Sequence, residues 1–168
     1  MAQPTSHPDT GKQIAQLDTP ALLVDLDALD HNIATMAAAA AKAGADWRPH
    51  IKASKAPGLA QRLVAGGAVG VTSAKVSEAE AMVEGGMDDI LIANEVVGPI
   101  KIARLAQLAP RARLCIAVDH VANLREVAAA MQAAGASVDV LIDINVNMNR
   151  CGIPPEDAPA LAEQVQDL

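Results

Sequence analysis

Five short apolar segments rich in β-branched residues recur along this chain, each followed by a stretch patterned for a helix. Marked at Lys52, Val71, Leu91, Ile116 and Ile142, they return at intervals of 19 to 26 residues. Strands and helices alternating at that rhythm build βαβ units around a parallel sheet, because a parallel pair needs a crossover long enough to hold a helix. A (β/α)₈ barrel spends about 30 residues on each such unit. A doubly wound sheet keeps a similar rhythm, but no G-x-G-x-x-G follows any strand, so its dinucleotide-binding form has no support. Eight units close a barrel and five are present. The expected fold is therefore α/β: a barrel here would be a partial one, and a doubly wound sheet is its main rival.

The punctuation of the chain gives the boundaries. Residues 1–17 are polar, with Pro4 and Pro8, and read as a disordered N-terminal tail ahead of one domain over 18–168. A strand is expected over Ala21–Asp25, then a helix over 28–42 that Asp27 caps and Gly44 ends. The Arg48–Lys52 strand leads to a helix over Pro57–Ala65, stopped by Gly66-Gly67. Strand Val69–Thr72 precedes a helix opened by a Ser77/Glu80 capping box and stopped at Gly85-Gly86. Strand Ile90–Ala93 precedes a helix begun by Pro99 and halted before Pro110. Strand Leu114–Val118 is followed by a helix over 121–134, with Asp119 or His120 as cap and Gly135 as stop. Strand Val138–Val146 and a last helix opened by Pro154-Pro155-Glu156-Asp157 complete the series.

Composition narrows the function. The chain holds no Phe or Tyr, and Trp47 is its only aromatic residue. Ala, Val, Leu, Ile and Met must pack the core, and platforms for base stacking are missing. With a formal charge of −7, nucleic acid is excluded as a partner. No apolar run reaches membrane-spanning length, and the opening segment has no apolar core of a signal peptide. Cys115 and Cys151 lack C-x-x-C spacing and read as free thiols of a cytoplasmic protein. No His/Cys/Asp cluster shows metal-ligand spacing, so no metal ligand is assigned.

Two motifs carry the chemistry. In Trp47-Arg48-Pro49-His50-Ile51-Lys52, alternation along a strand puts Arg48, His50 and Lys52 on one face. Three cations there are costly in a core unless they serve something. A lysine held among cations and away from water acts as a nucleophilic amine, which forms Schiff bases with aldehydes; pyridoxal 5′-phosphate (PLP) is the commonest biological one. An edge strand with solvated charges is the competing explanation. In the second motif, Val140, Ile142, Ile144 and Val146 form an apolar face suited to covering helices. Asp143, Asn145 and Asn147 take the other face, toward the barrel mouth where active sites lie. Arg150, just beyond, can meet an anionic ring oxygen or a carboxylate. Here an Asn-rich turn with Asn149 in a left-handed conformation explains the pattern equally well. Glu78 and Glu84 read as a solvated helix face, Lys75 as an exposed cap lysine, and Asn32 as a hydrogen-bonding residue on its helix.

These residues have a familiar order. Asp18-Thr19-Pro20-Ala21, Val24-Asp25-Leu26-Asp27-Ala28-Leu29 and Asn32-Ile33 resemble the opening of the alanine-racemase-like PLP barrel superfamily. Arg48-Pro49-His50-Ile51-Lys52, Lys75-Val76-Ser77-Glu78-Ala79-Glu80 and Asn149-Arg150-Cys151-Gly152 are similar to its D-threonine aldolase and D-serine dehydratase branch. The resemblance covers 18–168. It departs at Ala53-Ser54, where many relatives carry Thr-His, and at Ala74, where Gln is common.

The resemblance implies a partial PLP-binding TIM-type barrel, about five of eight βα units, with the family's C-terminal β-domain absent. It implies that Lys52 forms the Schiff base with PLP and that Arg150 contacts the ring's phenolic oxygen. His50, Asn149 and Asp143 would lie around the cofactor. The implied activity is that of a PLP-dependent lyase or aldolase on D-3-hydroxy amino acids, expected to be inactive as an isolated fragment. The alternatives are a non-catalytic PLP-homeostasis protein or an alanine-racemase-like isomerase. A divalent metal goes with full-length members, its ligands lying outside this chain. The expected partners are a small D-amino acid and either a second copy or a separately encoded C-terminal half, which would cover the open sheet edges.

Overall fold

Val71–Ser73 (β1), Asp89–Glu95 (β2), Arg113–Val118 (β3) and Asp139–Ile142 (β4) form a parallel sheet in the computed structural model, which describes residues 7–168. The strands lie side by side in chain order, β1-β2-β3-β4. A doubly wound sheet reverses its order at a switch point. This one does not reverse, and it is not closed: it is part of a barrel wall.

The helices are Leu26–Ala43 (α1), Pro57–Ala65 (α2), Val76–Glu84 (α3), Pro99–Leu108 (α4), Val121–Ala134 (α5) and Ala158–Gln166 (α6). Register explains where the core sits. Val71 stands opposite Ile90, Ile90 opposite Leu114, and Ile92 opposite Ile116. These side chains share the helix-covered face and are buried with Met82, Leu105, Leu108, Leu124, Val127 and Met131. Each such side chain stabilises the fold by about 1.5–3 kcal/mol when removed from water. The alternate positions, Thr72, Leu91, Cys115, Ala117 and Leu141, occupy the opposite face, where Leu141 is half-exposed.

Several expectations need correction. Residues 21–25 form no strand; Leu22 is 101% exposed, because no described segment offers its backbone a partner. Asp25, not Asp27, caps α1, its carboxylate accepting the Ala28 N–H at 3.0 Å. The Ser77/Glu80 capping box does not form. Glu80 turns instead to Arg104 on α4, whose guanidinium holds the Glu80 carboxyl below its usual range through a hydrogen bond. Glu78 is buried, not solvated: it accepts the Ala74 N–H at 2.8 Å and pairs with Lys55 at 3.4 Å. Asn32 is exposed and makes no side-chain hydrogen bond among the described residues.

The helix stops follow expectation. Gly44 and Gly135 close α1 and α5 in the left-handed conformation, and His120 Nδ1 caps α5 by accepting the Ala122 N–H at 3.1 Å. Of the N-terminal tail, residues 1–6 lie outside the described residues, and Ile14–Gln16 form one 3₁₀ turn without a buried side chain. No helix among the described residues is long and apolar enough to cross a membrane.

Candidate active site

The Arg48–Lys52 segment attaches outside β1 through a single parallel bridge, His50 to Thr72. Three backbone bonds seat it: Val69 N–H to Trp47 O at 3.1 Å, Ile51 N–H to Thr72 O at 2.8 Å, and Thr72 N–H to Pro49 O at 2.8 Å. Ile51 is buried in the core. His50 and Lys52 therefore fall on the side opposite the helices, and both are exposed. Lys52 begins the turn that ends the segment, at the carboxyl end of the parallel array. Its backbone N–H donates to His50 Nδ1 at 3.3 Å. Lys52 makes no ion pair among the described residues, whereas Lys55 is taken by Glu78.

The three-cation face does not survive intact. Arg48 donates to Asp89 Oδ1 at 2.7 Å, at the amino end of β2, so its charge is compensated and directed away from Lys52. Lys52 is also not shielded from water here, because the segment is the edge of an open sheet.

At the opposite edge, β4 runs into a loop that folds back on itself. Ile144 and Ile153 form a bridge, with Asn145 N–H donating to Ile153 O at 2.8 Å and Ile153 N–H to Asp143 O at 2.9 Å. Asn147 and Asn149 take positive φ of 74° and 52°, so the Asn-rich turn is real. Asn145 and Asn149 bond one another: Asn149 N–H reaches Asn145 Oδ1 at 3.2 Å. Gly152 donates its N–H to Asp119 Oδ2 at 3.1 Å, which ties the loop to the end of β3. The strand expected through Val146 stops at Ile142. Ile144 and Val146 do not reach the helices and are exposed.

Arg150 lines a small cleft of about 100 Å³ with Asp143, Asn145 and Cys151. The Cys151 thiol donates to Asp143 Oδ2 at 3.1 Å, and that hydrogen bond holds its proton above the usual thiol range while Arg150 opposes it. Glu95 ends β2 beside them. One Glu95 oxygen, one Asp143 oxygen and the Cys151 sulfur lie within 4.8 Å of one another. Glu95 Oε1 is buried without a hydrogen-bond partner among the described residues, and burial, with Asp143 and Asp119 nearby, raises its carboxyl above the usual range.

Comparison with known proteins bears on this arrangement. A model of the family described as "Alanine racemase, N-terminal domain" matches residues 24–168. The chain belongs to that family. The D-threonine aldolase of Arthrobacter sp is 45% identical over 159 residues, which is 94% of this chain and 42% of the relative. The 3-hydroxy-D-aspartate aldolase of Paracoccus denitrificans is 40% identical over 151 residues, 88% of this chain and 39% of the relative. The crystal structure of D-threonine aldolase from Filomicrobium marinum superposes with a TM-score of 0.89 at 49% identity, over 91% of this chain and 42% of that one. The D-threo-3-hydroxyaspartate dehydratase from Delftia sp. HT23 gives a TM-score of 0.81 at 35% identity, over 90% and 41%. The chain thus spans about two-fifths of the length of these four relatives.

Within this alanine racemase-type domain, the sequence-predicted residues fall into two groups at one end of the sheet. Lys52 and His50 stand at one edge; Asp143, Asn149 and Arg150 stand at the other. Four interstrand spacings separate them, about 19 Å along the sheet. Glu95 and Asp119 lie between and were missed as site residues. Their signal was positional: each is an acid placed where an apolar strand run ends.

Proposed function

We propose that this chain supplies the lysine-bearing part of a lyase acting on D-3-hydroxy amino acids, with Lys52 as the residue that binds PLP. The observation that carries the proposal is Lys52 itself: an exposed amine without an ion pair among the described residues, at the carboxyl end of the parallel array, in a domain 45% identical to a D-threonine aldolase. Active sites of barrel enzymes collect at that end. The residues fit the amine side of the cofactor, since Lys52 is available where Lys55 is engaged.

When bound, PLP supplies an electron sink for cleavage at the substrate's Cα. The protein's part is to hold and orient. Lys52 offers the attaching amine, with His50 beside it. Arg150 presents a guanidinium to the ring's phenolic oxygen or a substrate carboxylate. Asp143 fixes the loop through Cys151, and Asn149 fixes it through Asn145. No residue here is assigned to the divalent metal of full-length relatives.

The test is chemical. The chain is incubated with PLP, reduced with borohydride, and the modified lysine mapped by peptide mass. Labelling confined to Lys52 and lost in Lys52→Ala supports the proposal. Label scattered over Lys12, Lys42, Lys55, Lys75 and Lys101 refutes it.

A further inference from the structure

We propose that Arg48 is a positioning residue for Lys52: its guanidinium, crossing over Gly70 onto Asp89, fixes where the Lys52 segment sits on the sheet. The inference rests on the assignment of Lys52 as the PLP-binding amine.

The segment needs such a device. A regular parallel strand is held by a ladder of backbone bonds along its length, but this one has a single bridge and three bonds to its neighbour. A slip of one residue would exchange the faces of buried Ile51 and exposed His50 and Lys52. Arg48 supplies a restraint that skips a strand. Its guanidinium passes β1 and reaches β2, donating to Asp89 Oδ1 at 2.7 Å and to Asp89 O at 3.3 Å. Both side chains are about three-quarters buried, with exposures of 25% and 23%. Bonds between such ionised groups are the strong ones, and two contacts on one residue fix orientation as well as distance.

The route exists because Gly70 has no side chain. A Cβ at Gly70 would lie 2.2 Å from Arg48 Nη1 and 2.5 Å from Asp89 O. The anchor is itself held: Asp89 Oδ2 lies 3.7 Å from Arg113, which donates to Asp139 Oδ2 at 2.9 Å. Arg48, Asp89, Arg113 and Asp139 thus alternate in sign across the amino ends of the strands, opposite the end that carries Lys52. In a barrel that end governs stability, while the other carries chemistry. Arg48 links the two, since it shares its short segment with Lys52.

The experiment compares wild type, Arg48→Gln and Asp89→Asn in the whole chain, with Arg104→Gln as control. Arg104 pairs with Glu80 between α3 and α4 and makes no hydrogen bond or ion pair to the segment among the described residues. Two readouts are used: amide hydrogen exchange, and the fraction of borohydride-fixed PLP found on Lys52. Loss of the clamp speeds exchange at Ile51 and Thr72 by about tenfold to a hundredfold, the scale of one hydrogen bond to a charged group. Ile90 and Ile116, in the central ladder, change less than Ile51, and label on Lys52 falls. Arg104→Gln leaves both readouts at wild-type values. Exchange at Ile51 and Thr72 within about twofold of wild type in Arg48→Gln would overturn the clamp, on the scale of a negligible contact. So would faster exchange with Lys52 labelling unchanged. Wild type that shows no preference for Lys52 overturns the PLP assignment instead, and the exchange data still judge the clamp.

Discussion

Gly152→Ala tests whether the loop carrying Asn149, Arg150 and Cys151 is built as described. Gly152 has φ of +91°, and a Cβ there would sit 2.7 Å from Asn145 N and 2.8 Å from Ile144 C. Both contacts are backbone, so no side chain can swing aside. The left-handed conformation costs a non-glycine residue roughly 1–2 kcal/mol. Relieving the overlap moves Gly152 N–H away from Asp119, a bond to a charged group worth roughly 1.5–3 kcal/mol. Gly44→Ala is the matched control: φ is +63°, but nothing lies within 4 Å of the added Cβ. It incurs the conformational cost alone. The difference between the variants is therefore about 1.5–3 kcal/mol, or roughly 3–12 °C in Tm at about 2–4 °C per kcal/mol for a chain of this size. Thermal unfolding by circular dichroism measures both. If Gly152→Ala loses no more than Gly44→Ala, the close packing of the loop against Ile144 and Asn145 is refuted.

Other predictions address the core, the edge and the acid cluster. Met82→Ala, at a position with 0% exposure, costs about 2–5 kcal/mol in urea unfolding, whereas Leu22→Ser stays within about 0.5 kcal/mol of wild type. A large loss at Leu22 would mean that 21–25 is packed after all. Glu95 holds its proton more firmly folded than unfolded, because burial and neighbouring Asp143 and Asp119 oppose its charge. Its contribution is present at low pH and is lost as pH rises through the raised folded-state pKa. Glu95→Gln removes that loss, so the gap in Tm between variant and wild type widens in the variant's favour as pH rises. Parallel Tm profiles would contradict this. Glu80 behaves oppositely: Arg104 lowers its pKa, so the pair's contribution is present near neutral pH and fades in acid. Glu80→Gln costs under about 1 kcal/mol near neutral pH, and the cost disappears in acid.

Helices were legible because their signals are local. Pro57, Gly66, Val121 and Gly135 mark ends that backbone chemistry alone dictates, and the observed α2 and α5 begin and end there. The parallel strand–helix rhythm was legible for the same reason. What failed depended on partners distant in sequence. Ala21–Asp25 has the composition of a strand, but a strand exists only where another backbone accepts it, and none among the described residues does. Ser77 and Glu80 have capping-box spacing, yet Arg104, 24 residues away, competes for Glu80, and a bidentate guanidinium outweighs a single backbone N–H.

The site divides along the same line. Lys52 could be singled out in the sequence because three cations alternating onto one face of a strand are locally anomalous. Arg48 was anomalous for the same reason but was assigned the wrong neighbour: alternation fixes which face a side chain takes, not which end of the sheet it serves. Only the sheet register, with Gly70 opening the path and Asp89 waiting beyond it, separates the two cations into a compensated anchor and a free amine. Glu95 shows the converse. In sequence only its place at the end of an apolar strand run marks it, and its raised proton affinity arises from burial, with Asp143 and Asp119 brought beside it by the loop after β4 and the end of β3. A residue type in a strand pattern therefore locates candidate chemistry, while the roles within the site are set by which strand ends the sheet places side by side.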